Sequence, residues 1–155
     1  MIKIKEVSNE EVQEFWEEHI KYLINDELIF GKKEIDYYSG EEYRKTIESY
    51  RKNKIDKLHM VWFMRDGVKI GATHYKIFKN EDGECFILDF WVFPEYRGHN
   101  TGHECFNALK EYTEADGARY YKLNAAKEQS IHFWKTIGFV EFAMDPNGET
   151  IFIKK

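Results

Sequence analysis

A polar loop with two glycines follows a strand-like apolar run and a proline. The run ends at Val92, the proline is Pro94, and the glycines are Gly98 and Gly102. Helical spacing resumes after the loop, so several backbone amides should be free at a helix N-terminus, where the partial positive charge favours phosphate. The glycines allow a ligand to approach closely, and Asn100 tolerates a left-handed backbone. The pattern predicts a phosphate or pyrophosphate site; an ordinary helix start with turn residues is the alternative.

A carboxylate, Asp89, interrupts the apolar run Phe86–Val92 just before this loop. Strand alternation would place it on one face with Ile87 and Trp91. Because a carboxylate among apolar neighbours needs a partner or a chemical role, we expect Asp89 to act as a general base, directly or through water. The alternative is that Asp89 pairs with a nearby arginine, lysine or tyrosine hydroxyl.

Two other chemistries are disfavoured in the same segment. His99, His103 and Cys105 have a spacing that could serve a metal, but His99 falls in the loop and no second cluster of ligands is present. We therefore predict no metal. Cys105 could in principle be an acyl nucleophile, but a small apolar core residue on a helix explains it better.

Length and composition indicate one folded domain. The chain has 155 residues, of which 43% are hydrophobic, enough to fill a packed core. Lysine and arginine number 23 against 28 aspartates and glutamates, and the formal charge of −5 argues against a nucleic-acid partner. No apolar run is long enough for a membrane span, and Cys85 and Cys105 are too few for a disulfide framework. We expect a cytoplasmic protein with no membrane partner.

The spacing of apolar residues predicts alternating strands and helices. Ile2, Ile4 and Val7 indicate a short first strand. Two capping-box sequences, Ser8–Glu11 and Ser39–Glu42, predict two helices, the second ending near residue 53; residues 25–39 between them show no clear pattern. Further strands are predicted at 59–65, 68–78, 85–92, 120–123, 139–142 and 150–153, and helices at 101–114 and 129–136. This order predicts an α/β fold of the mixed, α+β type.

Two motifs give the sequence a family resemblance. Val92–Gly102 resembles the acyl-CoA pyrophosphate loop of the GNAT superfamily of N-acetyltransferases, whose pattern is Arg or Gln, two residues, Gly, one residue, then Gly or Ala. Arg97 and Gly102 match this pattern, and Asn100 stands where the central glycine is expected. Asn124–Phe139 is similar to the second motif, an asparagine and small residues followed by Phe-Tyr, three residues and Gly-Phe. From these motifs the chain is identified as a single GNAT-like domain over residues 1–155.

The resemblance implies a fold and a reaction. The fold would be a central, mostly antiparallel, twisted sheet with one splayed parallel strand pair, flanked by about four helices. The reaction would transfer the acetyl group of acetyl-CoA, a co-substrate, to a primary amine by direct attack in a ternary complex. The acceptor would be a small-molecule amine or a protein amino group. Because the family often dimerises, a homodimer is one expected arrangement.

The same resemblance assigns roles to the loop and its neighbours. The pantetheine arm would pair with the backbone of Phe90–Val92, the pyrophosphate would rest on amides of Gly98–His103, and Asn124 would contact the cofactor arm. The acetyl carbonyl would be polarised near the Val92 amide. The implied cofactor-binding set is Phe90, Trp91, Val92, Arg97, Gly98, His99, Asn100, Thr101, Gly102, His103, Asn124 and Trp134.

The general acid is where the sequence departs from the family. Trp134 stands where many members have a tyrosine that protonates the departing thiolate, and an indole N–H donates a hydrogen bond but supplies no proton. Tyr120 and His132 are the predicted replacements, with Tyr121 a further alternative; the thiolate could also leave unassisted. The competing hypothesis is a CoA-binding module without catalysis, which Asn100 and Trp134 favour.

Aromatic and acidic residues gather where the family builds its acceptor wall. The aromatic residues are Tyr37 and Tyr38, and the acidic residues are Glu27, Glu34, Asp36, Glu41 and Glu42. Such a wall would suit a cationic amine or polyamine, and a solvated acidic face is the alternative.

Overall fold

The computed structural model describes all of residues 1–155 and contains one seven-stranded sheet. The strands are β1 (Ile2–Glu6), β2 (Leu58–Arg65), β3 (Val68–Ile77), β4 (Glu84–Val92), β5 (Tyr120–Ala125), β6 (Val140–Met144) and β7 (Thr150–Lys154), in the sheet order β1-β2-β3-β4-β5-β7-β6. All neighbours are antiparallel except β4 and β5, which are parallel. The predicted fold class, a mixed α/β domain with a mostly antiparallel sheet and one parallel pair, is confirmed.

The chain also forms five α-helices. They are α1 (Val12–Asn25), α2 (Gly31–Ser39), α3 (Glu41–Arg51), α4 (Thr101–Glu114) and α5 (Glu128–Ile137). Two single-turn 3-10 helices, Asn9–Glu11 and Pro94–Tyr96, precede α1 and follow β4. No helix has the length and apolar character needed to cross a membrane.

The sequence pattern does not predict α2, and it misplaces the start of α3. Ser39 ends α2, where its Oγ donates to Ile35 O at 2.6 Å. Gly40 therefore occupies the N-cap of α3, and the second predicted capping box is wrong although its helix exists. The first box does form, since the Ser8 amide donates to Glu11 Oε1 at 3.0 Å before α1.

The parallel strands β4 and β5 separate after four paired residues. Glu84–Ile87 pair with Tyr120–Leu123. Beyond these residues β4 continues to Val92 and β5 to Ala125 without pairing, and β5 is held by β7 on its other side. The two strands therefore diverge, as predicted, and open a wedge at their carboxyl ends.

A bulge in β4 changes the direction of its side chains. Consecutive residues of β3 lie opposite Ile87 and Asp89, so Leu88 is an extra residue on β4. Ile87 packs in the core beneath α4 and α5, whereas Trp91 packs in the core on the opposite face. The prediction that Ile87, Asp89 and Trp91 share a face is therefore wrong for Ile87. The extra residue turns Asp89 toward α1.

Each face of the sheet has its own core. The core beneath α4 and α5 includes Phe106, Leu109 and Trp134, and the core beneath α1 and α3 includes Phe15 and Ile47. Both cysteines lie in the first core as free, buried thiols. Burial raises the pKa of the Cys105 thiol to about 12, which supports the predicted core role rather than a nucleophile.

At Gly71 the backbone of β3 lies close to that of β4, and a substitution at this position tests how tightly the two strands pack. A methyl group there would lie 2.4 Å from the carbonyl oxygen of Trp91. Because this backbone cannot move aside freely, Gly71→Ala should lower stability by about 2 kcal/mol and Tm by about 4 to 8 °C. In Gly102→Ala, the matched comparison, the methyl group would meet the Phe133 ring at 2.7 Å, a side chain that can rotate. Thermal unfolding should show the smaller loss for Gly102→Ala; the reverse order would contradict the packing argument.

Candidate active site

The wedge between β4 and β5 contains a cavity of about 920 Å³. One wall is β4 from Phe86 to Val92, and the opposite wall is the end of β5 with the loop that follows it. The α1–α2 turn and residues of α2 and α3 cover the space between them. The lining is largely aromatic and aliphatic, with a few charged groups among it. A pocket of this kind is typical of a small-molecule or cofactor site.

The predicted phosphate loop has a left-handed backbone at three consecutive residues. Gly98, His99 and Asn100 have φ angles of 94°, 53° and 62°. Thr101 closes the turn, donating to Gly98 O from its amide at 3.1 Å and from its Oγ1 at 2.7 Å. No backbone carbonyl accepts from the amides of Gly98, His99, Asn100, Gly102 and His103. Asn100 thus adopts the conformation that a glycine would, and the amides beside α4 remain free for an anion.

The end of β4 presents backbone groups to the wedge. The amide of Phe93 donates to Ile70 O of β3 at 2.8 Å, so ladder alternation turns the N–H and C=O of Val92 away from β3. The carbonyl of Val92 accepts from Arg97 Nε at 2.8 Å, and the same guanidinium pairs with Asp26 at 3.0 Å. Arg97 therefore fixes the loop to β4 and to the end of α1. The Val92 amide lies on the wedge side of the strand.

Two histidines hold Asp89. Its Oδ2 is 3.0 Å from Nε2 of His19 on α1 and 2.9 Å from Nε2 of His74 on β3. The histidine side chains are 1% and 0% exposed, whereas that of Asp89 is 23% exposed. Oδ1 makes no hydrogen bond, and because Asp89 lines the cavity this oxygen is open to a ligand. Asp89 thus has the partners that its position demands, but they are histidines rather than an arginine, lysine or tyrosine.

The site holds Asp89 as an anion. Burial alone would raise the pKa of Asp89. The hydrogen bonds with His19 and His74 outweigh burial, so the pKa of Asp89 lies well below its ordinary value. Burial lowers the pKa of His74 by more than the neighbouring Asp89 raises it. The two lowered pKa values are consistent with a neutral His74 that donates a hydrogen bond from Nε2 to an ionised Asp89.

Two histidines and a carboxylate are also a ligand set for a divalent transition metal, and their ligand atoms lie within 4.8 Å of one another. A metal on Nε2 would require both histidines to carry their proton on Nδ1. Neither Nδ1 has a hydrogen-bond partner, so two buried N–H groups would lack acceptors. With the protons on Nε2, both donate to Asp89. The arrangement therefore fits a hydrogen-bonded anion better than a metal centre.

Tyrosines form the wall above Asp89. Tyr37, Tyr38 and Tyr43 contact one another, with ring centroids 5.0 Å apart for Tyr37–Tyr38 and for Tyr38–Tyr43. Burial, and then the charge of Asp89, raise the pKa of Tyr22, Tyr38 and Tyr43. Three hydroxyls therefore lie within electrostatic reach of the carboxylate, and all four tyrosines line the cavity.

Most of the predicted cofactor residues lie at the cavity. Those that line it are Phe90, Trp91, Val92, Arg97, Gly98, Gly102, Asn124 and Trp134. Asn124 donates to Asp145 Oδ2 at 2.7 Å, and its own Oδ1 is buried without a hydrogen-bond partner. Trp134 packs against Phe90 and Phe139 at centroid distances of 5.0 and 5.1 Å. Four predicted residues do not line the cavity, namely His99, Asn100, Thr101 and His103. They are part of the candidate site only because they form the backbone of the phosphate loop and of the first turn of α4.

The structure does not bring the predicted replacements for the general acid to the cavity. Tyr120 begins β5 at its paired end, and the hydrogen bond from its hydroxyl to Asp82 Oδ2, 2.5 Å long, raises its pKa. His132 is exposed on α5 and lies outside the cavity lining. The hydroxyl of Tyr121 is buried against α4. None of the three is positioned to protonate a thiolate in the wedge.

The acidic residues of the predicted acceptor wall mostly face solvent. Only Glu27 lines the cavity, and Lys127 pairs with it at 3.5 Å. On the outer surface, Asp36 pairs with Lys32 and Glu41 with Lys45. The alternative of a solvated face therefore describes these residues better, whereas the predicted tyrosines do line the cavity.

Sequence reasoning missed both histidines as site residues. His19 lies in the apolar stripe of α1 and His74 in a buried strand, so each taken alone is typical of a core position. One usable signal was present, namely a histidine on an apolar helical face together with a carboxylate in an apolar strand. The side chains that complete the cavity, among them Tyr22, Tyr43 and Glu149, carried no such signal.

Three solved structures are similar to this chain over nearly its whole length. PaiA N-acetyltransferase from Thermoplasma acidophilum, in complex with coenzyme A, has a TM-score of 0.77 at 19% identity and covers 100% of this chain and 99% of its own. Aminoglycoside acetyltransferase AAC(6')-Ib, also with coenzyme A, has a TM-score of 0.68 at 13% identity, with coverages of 100% and 95%. Arabidopsis thaliana Naa50, with the bisubstrate analogue CoA-Ac-MVNAL, has a TM-score of 0.61 at 15% identity, with coverages of 99% and 98%. At these identities the likeness establishes the fold.

The splayed parallel pair, the free amides beside it and these structural relatives define the class as an acetyltransferase fold. The model of the Acetyltransferase (GNAT) family matches residues 8–139, and the chain belongs to this family of transferases. The family resemblance of the two motifs is thereby confirmed. No curated protein matches the sequence.

The neutral His74 predicts how stability depends on pH. Folding lowers the pKa of His74, so as the pH drops below about 6.5 the unfolded chain binds a proton at this histidine that the folded chain does not. The free energy of unfolding therefore decreases as the pH drops. Between about pH 8 and pH 5.5 this should remove about 1 kcal/mol and about 2 to 4 °C of Tm. His74→Gln, which keeps a donor to Asp89, should show a smaller fall.

His132→Gln is the matched control, because that side chain is exposed. It should retain the pH dependence of the parent protein. An undiminished fall of Tm in His74→Gln would mean that His74 is protonated in the folded state.

Proposed function

We propose that the protein is an N-acetyltransferase that transfers the acetyl group of acetyl-CoA to a primary amine by direct attack in a ternary complex. The observation that carries the proposal is the open Oδ1 of the ionised Asp89, which reaches the same cavity as the end of β4. A fixed anion is suited to draw in an ammonium group, and a carboxylate with a lowered pKa can relay the proton to water rather than keep it. The acceptor is a small-molecule amine or a protein amino group.

Acetyl-CoA is the proposed co-substrate, and this chain's backbone supplies most of its contacts. The free amides of Gly98, His99, Asn100, Gly102 and His103 bind the pyrophosphate at the N-terminus of α4. The pantetheine arm adds to the unpaired end of β4 in the manner of an extra strand. Asn124, which lines the cavity on the facing strand, contacts the arm.

The proposed reaction needs no covalent intermediate on the protein. The amine nitrogen attacks the thioester carbonyl carbon, the C–S bond breaks, and the sulfur leaves with the electron pair. The Val92 amide, on the wedge side of β4, stabilises the negative charge that develops on the carbonyl oxygen. The nitrogen loses two protons, one before the attack, which frees its lone pair, and one after the C–N bond has formed. Each passes to Asp89 Oδ1, directly or through one water, and then to solvent, while His19 and His74 hold the carboxylate in position.

The leaving thiolate has no assigned acid in this scheme. Trp134 occupies the expected position and supplies no proton, and Tyr120 and His132 lie elsewhere. A thiol with a pKa near 8.5 leaves as a thiolate with modest assistance, so protonation by water suffices for turnover at a reduced rate.

Trp134 is also the observation that favours the competing function, a CoA-binding module without catalysis. The buried, ionised Asp89 favours the enzyme, because a binding module has no need of that charge.

Acetyl-CoA binding is the first testable consequence. At about a hundredfold over Kd, a ligand of the folded state adds roughly 2.7 kcal/mol, which for this chain length raises Tm by about 5 to 10 °C. Thermal unfolding with acetyl-CoA should show this shift. NAD, which has a pyrophosphate but no pantetheine arm, serves as the control and should give a much smaller one. No shift with acetyl-CoA at millimolar concentration would overturn the proposed cofactor.

Asp89→Asn tests the proton acceptor. The amide oxygen still accepts from His19 and His74, but the negative charge is lost, so kcat/KM for an accepted amine should fall by about a hundredfold or more. The Kd for acetyl-CoA, measured by calorimetry, should stay near that of the parent protein.

Asp116→Asn is the matched control, since that carboxylate pairs with Lys79 outside the cavity. It should leave kcat/KM unchanged. If Asp89→Asn retains the rate and pH profile of the parent protein, Asp89 takes no part in proton transfer.

A further inference from the structure

The strand β3 contains a buried hydroxyl that the proposed reaction does not use. Thr73 is 0% exposed, and its Oγ1 donates to the backbone carbonyl of Asp89 at 2.6 Å. The next residue of the same strand, His74, holds the carboxylate of Asp89 at 2.9 Å. Two consecutive residues of β3 therefore hold Asp89, one at its backbone and the other at its side chain. Valine would fill the same space as Thr73, so only the hydroxyl distinguishes this residue from an ordinary core residue.

The hydrogen bond from Thr73 lies next to the bulge in β4. Leu88 is an extra residue on β4, so the pairing with β3 shifts at this point. A bulge locally disrupts the ladder, and the ladder alone therefore fixes the neighbouring peptide groups less firmly. The peptide that joins Asp89 to Phe90 lies directly beyond the bulge. Thr73 gives the carbonyl of this peptide a side-chain donor and ties it to β3.

The direction of this carbonyl also sets the direction of the next amide. The chain has no cis peptide bond, and in a trans peptide the C=O and N–H groups point to opposite sides. Because the Asp89 carbonyl points to Thr73 on β3, the amide of Phe90 points away from β3. Phe90 lines the cavity and lies beyond Ile87, the last residue of β4 that pairs with β5. Its amide is therefore a donor on the wedge side of the strand.

Resting on the proposed function, we infer that Thr73 is a positioning residue of the active site. Through one carbonyl it fixes two groups on the same peptide unit. The first is the Asp89 carboxylate, which accepts the protons of the amine, and the second is the Phe90 amide, which donates to a carbonyl of the pantetheine arm. Thr73 itself touches neither substrate, since it does not line the cavity. Without the hydroxyl the peptide has more freedom to rotate, and both groups are less well aimed.

Thr73→Val removes the hydroxyl and keeps the shape of the side chain. With an amine that the parent protein acetylates, kcat/KM should fall by about tenfold, the size of one well-placed hydrogen bond, and most of the fall should lie in kcat. The Kd for acetyl-CoA, measured by calorimetry, should rise by a smaller factor, about threefold, because the arm has other contacts. Thr73→Ser keeps the hydroxyl and should retain the kcat/KM of the parent protein within about twofold.

Thr113→Val is the matched control. Thr113 is also 0% exposed, and its Oγ1 donates to the carbonyl of Leu109 at 2.7 Å, but it lies on α4 and outside the cavity. Both valine variants should lower Tm, because each leaves a buried carbonyl with one donor fewer. Only Thr73→Val should lower kcat/KM by more than about twofold. Equal losses of kcat/KM in the two variants, or a folded Thr73→Val with the kcat/KM of the parent protein, would overturn the inference.

An NMR titration separates this inference from the proposed reaction, because it requires no turnover. Addition of CoA to the isotopically labelled protein should move the Phe90 amide proton downfield as this amide gains an acceptor. In Thr73→Val the shift should be at most about half as large, and Thr73→Ala replaces that variant if it does not fold.

The two proposals fail in different ways. If the Phe90 amide responds to CoA and the response weakens without the Thr73 hydroxyl, but no amine is acetylated, the positioning role stands and the proposed transfer reaction fails. If calorimetry shows that CoA binds while the Phe90 amide does not respond, or responds equally in the variant, the positioning role is wrong and the acetyltransferase proposal is unaffected.

Discussion

The geometry of the site depends on one constraint, the burial of an ionised carboxylate between the sheet and α1. An isolated anion there would be strongly unfavourable, so Asp89 needs donors that do not themselves bring a large desolvation penalty. His74 and His19 meet this need as buried rings, each within 3.0 Å of one oxygen. They come from different elements, so α1, β3 and β4 must pack correctly before the second oxygen is aimed at the cavity.

The strand β4 performs two tasks because its backbone and its side chains point in different directions. Its unpaired backbone edge beyond Ile87 faces the wedge, whereas Asp89 and Trp91 point toward α1. The bulge at Leu88 makes this division possible, since without the extra residue Asp89 would point into the core beneath α4 and α5. In the proposed reaction, this one strand therefore aligns the thioester and also holds the charged group that the incoming amine meets.

The sequence predicts the elements well and their contacts less well. Capping and periodicity act over a few residues, so α1, α4, α5 and all seven strands can be located, and Asp89 is conspicuous within an apolar run. The bulge at Leu88 cannot be recognised from the local sequence pattern. The contact between Asp89 and His19 cannot be predicted from short-range patterns either, because the two residues are 70 positions apart in the sequence. Helix α2 escapes prediction because its nine residues carry no broad apolar face and none of them is buried. Nearness in sequence to the second motif favours Tyr120 and His132, but the Tyr120 hydroxyl bonds to Asp82 at the paired end of β5 and His132 is exposed on α5.

The ion pairs at the α1–α2 turn also shape what the cavity can accept. Arg97 and Lys127 belong to the two loops that border the wedge, and each is bound by a carboxylate of the same turn. These pairs connect both borders to one segment, and they leave the deeper cavity without a free cation. Asp89 lies in surroundings of lower polarity than water, so its charge acts there with less screening. Under the proposed function, these ion pairs therefore leave Asp89 as the charged group that an incoming ammonium ion meets, because neither Arg97 nor Lys127 is free to neutralise it.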